Sequence, residues 1–218
     1  FSENITEILS AAFSGCTSLS NISLPDSITS IGENAFANTA YYNDDSNWEN
    51  DVLYIGKYLI EAKEDLSSSY VIKSGTRIIA DRAFAMCLNL TQITIPDSTI
   101  IIGSYAFQGT GLIDVTFPSS ISNIGDYAFV DCASLATMTI PGNGATHIET
   151  ESFGYCYALT SVKIGDGVVG IGNQAFICCT KLTNIIIPQS VTSIGIGILE
   201  GCEELTSIIV DEKNPEFD

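Results

Sequence analysis

Residues 168–195 read VVGIGNQAFICCTKLTNIIIPQSVTSIG and contain the pattern that decides the fold. The pair Ile171-Gly172 returns 23 residues later as Ile194-Gly195. Between the two pairs come Ala-Phe, Cys, Leu and an isoleucine triplet that ends at Pro188. Each of these slots recurs elsewhere in the chain, so the segment is one unit of an internal repeat.

The phenylalanine slot shows how regular the repeat is. It is occupied by Phe13, Phe36, Phe84, Phe107, Phe129, Phe153 and Phe176, and Leu199 holds the same register. Successive steps are 23, 48, 23, 22, 24, 23 and 23 residues, so the step of 48 contains one repeat and an insertion about as long as another. A fixed period of this length is typical of solenoids, whose units stack on their neighbours.

One unit contains two extended segments joined by turns. The triplet Ile185-Ile186-Ile187 is β-branched, which predicts a short strand with alternate residues inward. The proline that follows has no N–H to donate, which predicts that the strand ladder ends there. Ile-Gly is the second extended segment. An acidic residue often follows it and suits the start of a short helical turn that carries Ala-Phe.

A single unit is too small to bury its own apolar face, so the units must stack, with parallel strands about 4.8 Å apart. We therefore predict a curved α/β solenoid with a parallel sheet on one face and short helical turns on the other. The inward phenylalanines should form one continuous column.

Composition and charge exclude several functions for this chain of 218 residues. It has 8 Lys and Arg against 26 Asp and Glu, a net charge of −18. A chain this acidic is unsuited to nucleic acid, whose phosphates require basic contacts, or to an anionic membrane surface. No stretch reaches the roughly 18 to 20 apolar residues that span a bilayer, so we expect no membrane insertion.

The repeat resembles a known family. Residues 168–195 and the phrase ITSIGENAFANT at residues 28–39 are similar to BspA-like leucine-rich repeats, also called the Treponema pallidum type, and the resemblance covers residues 5–39 and 77–210. It implies a right-handed leucine-rich-repeat coil, here about eight coils of 23 residues. It also implies an extracellular or cell-surface protein, with adhesin-like binding of host matrix proteins or other cells. The family has no shared ligand-binding residues, so none can be transferred.

Residues 40–76 interrupt the repeat and form an irregular insert. The sequence DVLYIGKYLIEAK predicts a hairpin around Gly56-Lys57, and Tyr70-Val71-Ile72 predicts the returning ladder strand. We expect one solenoid over residues 1–218, which is a fragment of a longer protein. A monomer is expected, with end-to-end association possible through the uncapped coils.

The sequence offers no persuasive catalytic, metal or cofactor site. Six of the seven cysteines hold one register of the repeat, which matches no zinc spacing and predicts a column of buried free thiols. His147 is the only histidine and occupies a surface slot. The acidic stretch at residues 43–51 lacks the spacing of a calcium loop, so a solvated loop is favoured over a calcium site. We expect no enzyme.

Two surfaces are candidates for contact with a protein partner. Aromatic residues of the insert, Trp48, Tyr54 and Tyr58, either anchor a partner or pack the insert onto the coil behind it. The other candidates are outward residues at the middle of the strand triplets, namely Thr94, Thr116, Thr139, Lys163, Ile186 and Ile209. The apolar pair Ile186 and Ile209 is either a contact site or a surface covered by further coils.

These features leave three functional hypotheses. The chain is an adhesin-like protein-binding module, a spacer that displays another domain, or a substrate-binding module attached to an enzyme. The first follows from the large surface of a solenoid and from the family resemblance.

Overall fold

The computed structural model describes residues 4–214 and 216, and it shows a solenoid of about nine turns spaced roughly 23 residues apart. In chain order the strands are β1 (Glu7–Ile8), β2 (Ser30–Ile31), β3 (Trp48–Glu49), β4 (Val52–Ile55), β5 (Tyr58–Ala62), β6 (Ser69–Val71), β7 (Ile78–Ile79), β8 (Gln92–Thr94), β9 (Ile101–Ile102), β10 (Asp114–Thr116), β11 (Asn123–Ile124), β12 (Thr137–Ile148), β13 (Ser161–Ile171), β14 (Asn184–Ile187), β15 (Ser193–Ile194) and β16 (Ser207–Val210). The predicted solenoid is confirmed.

Two parallel ladders run along the stack, as the two extended segments of each unit predict. The Ile-Gly segments pair β1 with β2, and they connect β7, β9, β11, β12, β13 and β15. The triplets pair β6 with β8, β10 with β12, β12 with β13, and β14 with β16. Equivalent residues of successive repeats lie side by side, so each ladder places chemically similar side chains in one column.

Strands β12 and β13 depart from the expected unit because each runs through both ladders. Pro141 does not end β12; the pairing continues past it with register shifts between Ile140 and His147. Gly142 and Gly167 face each other in this bulged region, where a Cβ on either would collide with the backbone of the other. Glycine therefore lets the two chains approach closely enough to continue pairing.

The Ala-Phe segments are sequences of turns and not the predicted helical turns. The only helix in residues 4–214 and 216 is a three-residue 3-10 helix, Asp45–Asn47. Residues two positions before and two positions after each phenylalanine slot have positive φ, in one column comprising Ala11, Asn34, Arg82, Tyr105, Tyr127, Glu151, Gln174 and Gly197 and another comprising Gly15, Asn38, Met86, Gly109, Asp131, Tyr155, Cys178 and Gly201. Left-handed residues at this spacing prevent a continuous α-helix.

A third set of hydrogen bonds joins these segments along the stack, always in the same direction. The amide of Phe84 donates to the carbonyl of Ala106 at 2.7 Å, and the amide of Phe107 donates to Ala128 at 2.7 Å. The left-handed residues follow the same rule, with Tyr105 N–H donating to Asp126 O at 3.0 Å. In the Ala-Phe segments, the carbonyl groups of one coil therefore accept hydrogen bonds from the N–H groups of the coil before it.

The core follows the phenylalanine slots. Five rings stack with centroids 4.8–5.6 Å apart, from Phe84 through Phe107, Phe129 and Phe153 to Phe176. Phe13 and Phe36 form a separate stack at 5.5 Å. No ring contact joins Phe36 to Phe84 within the described part of the chain, so the single continuous column that we predicted is wrong at this point. The insert enters the stack between the two rings.

The predicted hairpin of the insert is confirmed. Strands β4 and β5 pair antiparallel, with Ile55 opposite Tyr58 across the two-residue turn at Gly56-Lys57. Strand β5 also pairs in parallel with β7, so one arm of the hairpin extends the Ile-Gly ladder. Strand β6 supplies the returning strand of the triplet ladder beside β8. No helix among the described residues is long and apolar enough to cross a membrane.

Candidate functional site

The middle residues of the triplets form an outward column along the triplet ladder. The structure places Val71 beside Thr94, Thr116 beside Thr139, Thr139 beside Lys163, and Ile186 beside Ile209. All are exposed except Thr139, which is half-buried, and Ile186 and Ile209 keep 50% and 49% of their surface accessible. Val71, which is 71% exposed, was not among the predicted contact residues. Its position at the middle of the triplet Tyr70-Val71-Ile72 could have indicated that it faces outward.

A second outward column is formed by the residue immediately before each triplet, two positions before the middle residue. Sequence reasoning did not identify it. Its members are polar and exposed, namely Ser69, Gln92, Asp114, Thr137, Ser161, Asn184 and Ser207. We call the two columns together the strand face. Because neighbouring strands are about 4.8 Å apart, the strand face presents a regular array of short polar and β-branched side chains.

Tyr54 and Tyr58 do not lie on the surface. They are 4% and 1% exposed, and each hydroxyl has a partner inside the protein. Tyr58 donates to the carbonyl of Pro25 at 2.6 Å, and the hydroxyls of Tyr54 and Tyr70 are 3.0 Å apart. Both rings pack the insert onto the coils, so the alternative role, that of exposed anchors for a partner, does not fit them.

Trp48 lies at the surface of the insert in a fixed position. Its indole Nε1 donates to the carbonyl of Tyr42 at 2.8 Å, and the Tyr42 ring meets it edge-on at 5.2 Å between centroids. The ammonium of Lys63 stands 5.4 Å from the centre of the indole. One face of Trp48 therefore already accepts a cation, which the negative face of an aromatic ring favours.

Glu61 connects this aromatic corner to the coil stack. Its carboxylate accepts a hydrogen bond from the Tyr42 hydroxyl at 2.8 Å. Burial raises the pKa of Glu61, the Tyr42 bond opposes this rise, and the nearby carboxylates Glu33 and Glu64 add to it. Negative charge is therefore concentrated beside the insert.

The acidic stretch at residues 43–51 does not converge on a cation. Asp44 caps the 3-10 helix by accepting from the Ser46 amide at 3.0 Å. Glu49 pairs with Lys73 at 2.6 Å, and Asp51 pairs with Lys63 at 3.2 Å. Among the residues that the structure describes, no three carboxylates, histidines or cysteines gather in a way that could hold a metal ion.

All seven cysteines are free thiols, and the ones in the central coils form the predicted buried column. Cys132 donates to the carbonyl of Phe107 at 3.1 Å, and Cys179 donates to Phe153 at 3.2 Å. Burial raises the pKa of Cys132 to about 12. A thiol that stays protonated and enclosed is a poor nucleophile, and these residues act as polar packing between coils. Cys16, at one end of the register, is exposed.

A charged and aromatic row on the turn side was also missed from the sequence. The guanidinium of Arg82 lies 4.5 Å from the centre of the Tyr105 ring, and Tyr105 stacks on Tyr127 at 4.7 Å. Arg82 also pairs with Glu33 at 3.0 Å. The side chains share the left-handed position that precedes each phenylalanine slot, and only the alignment of the repeats could have shown it. His147 is exposed on β12, as expected.

Comparison with known proteins agrees with this geometry. The model of the BspA-type leucine-rich repeat region matches residues 1–100, 63–147 and 137–218, with six copies of the repeat. The chain belongs to the BspA-type leucine-rich repeat family. No curated protein matches it at a significant level.

One solved structure shares the fold of this BspA-type chain, and two more are similar to it at lower TM-scores. A leucine-rich repeat protein from Eubacterium ventriosum is 24% identical, with a TM-score of 0.59, over 94% of this chain and 70% of its own. The leucine-rich repeat protein of T. pallidum is 29% identical over 93% of this chain and 72% of its own, with a TM-score of 0.45. A leucine-rich cell surface protein from Faecalibacterium prausnitzii is 24% identical over 96% and 77%, with a TM-score of 0.38.

Proposed function

We propose that this chain is a non-catalytic protein-binding module that contacts its partner through the strand face. The observation that carries the proposal is the pair of exposed columns, which continue over seven repeats from β6 to β16. Regular columns on a rigid solenoid offer a large surface for a partner without a deep pocket. The contact residues that we propose are Thr94, Thr116, Thr139, Lys163, Ile186 and Ile209.

The proposed place of action is the cell surface or the extracellular medium, where the partner is a host matrix protein or a protein of another cell. The likeness to a leucine-rich cell surface protein supports this location. We propose that the chain acts as a monomer and forms one solenoid with its insert.

Solid-phase binding to a panel of matrix proteins tests this function. The double variant Thr116→Arg and Thr139→Arg places two large cations on the strand face. The matched control, Ser119→Arg and Gln189→Arg, adds the same charge at exposed turn positions outside the two columns. We expect saturable binding that the first variant reduces at least tenfold and the control leaves within twofold.

Two results would contradict the proposal. Equal binding by both variants would remove the strand face from the interaction. No saturable binding to any protein of the panel would favour the spacer role, in which the solenoid only displays another domain.

A further inference from the structure

Three neighbouring cavities lie on the turn side of the solenoid, beside the insert, and adjacent cavities share lining residues. The first, of about 510 Å³, shares Glu61, Ala62 and Glu64 with the second, of about 220 Å³. The second shares Met86 with the third, of about 440 Å³. We call this connected surface the turn-side groove. It extends from Trp48 in the insert to Asp131 in the coil stack, and its lining contains no residue of the strand face.

The repeat itself opens the third cavity. The step from Phe107 to Phe129 is 22 residues, and the shortened segment contains Gly109 and Gly111. The neighbouring coils carry side chains at the position of Gly109, namely Met86 and Asp131. A Cβ on Gly111 would lie 2.5 Å from the carbonyl oxygen of Leu88, so only glycine fits there. The lining of the third cavity is consequently backbone alone at Gly111 and Gly109, with the Met86 sulfur close to Gly109.

The charge of the turn-side groove is strongly negative. Six of its carboxylates line the two cavities beside the insert, namely Glu33, Asp45, Glu61, Glu64, Asp65 and Asp81, and Asp131 lines the third. The cations of the lining are Lys63 and Arg82, so carboxylates exceed cations by 7 − 2 = 5. Both cations are engaged within the chain, Lys63 with Asp51 at 3.2 Å and Arg82 with Glu33 at 3.0 Å.

The groove also presents apolar surface. Met86 is 48% exposed and Leu88 is 63% exposed, and both line the third cavity. At the other end, Trp48 already receives the ammonium of Lys63, so this corner of aromatic rings and carboxylates suits a cation on an aliphatic stem. Exposed apolar side chains among carboxylates fit a ligand that is both basic and partly apolar.

We propose that the turn-side groove binds a basic, partly apolar polypeptide segment of a partner protein. Lysine or arginine side chains of that segment meet the carboxylates around Glu61 and Asp131, and an apolar side chain lies on Met86 and Leu88. This site is separate from the strand face and does not depend on the function proposed for that face.

The chain carries its own reporters for a direct test. It contains one tryptophan, Trp48, and two methionines, Met86 in the groove and Met138 in the core. The probe is a capped hexapeptide of alternating leucine and arginine, and the control peptide has glutamate in place of arginine. We expect the arginine peptide to change the Trp48 emission and the Met86 methyl resonance saturably. The buried Met138 resonance should stay unchanged.

Matched variants separate the groove from the general attraction of an acidic protein for a basic peptide. The triple variant Glu64→Gln, Asp65→Asn and Asp131→Asn should bind the arginine peptide about tenfold more weakly, because each exposed ion pair contributes about 0.5 kcal/mol. The control variant Glu203→Gln, Glu204→Gln and Glu212→Gln loses the same charge at exposed positions in the last coils. Its affinity should stay within twofold of the parent chain.

The apolar part of the proposal has its own variant. Leu88→Ser should weaken the arginine peptide about fivefold, since partial burial of a leucine side chain contributes about 1 kcal/mol. The proposal is overturned if the control variant weakens binding as much as the groove variant does. It is also overturned if the glutamate peptide binds equally well, or if neither Trp48 nor Met86 responds to the arginine peptide.

Discussion

At the scale of the residue, small groups control how closely the coils approach. The glycine of each Ile-Gly pair lies directly against the preceding coil, and the buried thiols fill slots that a larger side chain would overfill. In both cases the residue is set by the space between coils and by the hydrogen-bonding groups that line it. Adding or removing one or two atoms at these positions should therefore lower the free energy of unfolding.

Gly125 tests the close approach. A Cβ at this position would lie 2.8 Å from the carbonyl carbon of Gly103 and 2.9 Å from the amide nitrogen of Ser104. Because neither backbone atom can move without shifting the ladder, Gly125→Ala should lower the free energy of unfolding by about 1–3 kcal/mol. Urea denaturation measures this loss. Ser119→Ala, at an exposed turn, is the control and should change the free energy of unfolding by less than about 0.5 kcal/mol.

The buried thiols predict how stability depends on alkaline pH. Burial raises the pKa of Cys132 from 9.0 to about 12. The thiol ionises more readily in the unfolded chain, so its contribution to stability is complete below pH 9 and is lost as pH rises toward 12. Compared with Cys132→Ala, the parent chain should lose about 1 kcal/mol more between pH 8 and pH 10. Chemical denaturation under reducing conditions measures both, and parallel pH curves would contradict this assignment.

At the scale of the element, the hairpin of the insert takes the place of a coil. Strand β5 continues the Ile-Gly ladder beside β7, while Tyr58 reaches back to the second coil and bonds to Pro25. Lys57 of the turn pairs with Asp26 in the same region. The hairpin therefore helps to join the coils of Phe36 and Phe84, which are also joined directly by the Asp81 amide, a donor to the Ile31 carbonyl at 2.9 Å.

Tyr58→Phe tests the connection between hairpin and coil. The change keeps the buried ring and removes the hydroxyl that donates to Pro25 at 2.6 Å. It should cost about 0.5–1.5 kcal/mol, because the carbonyl of Pro25 loses this short bond and keeps the longer one from the Ile28 amide at 3.4 Å. Thermal or urea unfolding measures the cost. Tyr157→Phe, on an exposed ring, should have no measurable effect, and a similar loss in both variants would argue against the bond.

Elements also differ in how well the sequence predicts them. The apolar periodicity of the triplets and Ile-Gly pairs predicts the ladders, and Gly56-Lys57 between two apolar runs predicts the hairpin. The left-handed columns are hidden because ordinary residues such as Arg82, Tyr105 and Glu151 occupy positions where glycine would be the usual signal. Stacking bonds from neighbouring coils impose this conformation, and they cannot be seen within a single unit.

The candidate surfaces also divide into features that the sequence predicts and features that it does not. Periodicity alone predicted which triplet residues face outward, since alternation in a strand is local. It could not predict that Tyr54 and Tyr58 are buried, nor that the insert and a shortened repeat create the turn-side groove. Those features depend on how the insert joins the stack.

At the scale of the whole molecule, each coil is stabilised by its neighbours, so a coil that buries less apolar surface against them should be less stable. In the last triplet, Ile208 is 56% exposed, whereas Met138 at the equivalent position of an internal coil is 3% exposed. The terminal coils therefore bury less apolar surface per residue than the central ones.

Hydrogen exchange measures this gradient. Amides of Ser207–Val210 should exchange at least 100-fold faster than those of residues 137–140, because local opening of an end coil exposes few contacts. Mass spectrometry of peptic fragments resolves the two segments. Equal protection would mean that the solenoid opens only as a single cooperative unit.

The unidirectional bonds of the Ala-Phe segments have a consequence for how such chains change in length. The Ala-Phe segment of a coil offers acceptors toward one neighbour and donors toward the other, as Phe84 and Phe107 do with Ala106 and Ala128. A duplicated coil has the same donors on one side and the same acceptors on the other. It can therefore stack on its neighbours without any new type of contact. Gain or loss of whole turns is thus compatible with one unchanged set of interactions, whereas a reversed turn would meet donors with donors.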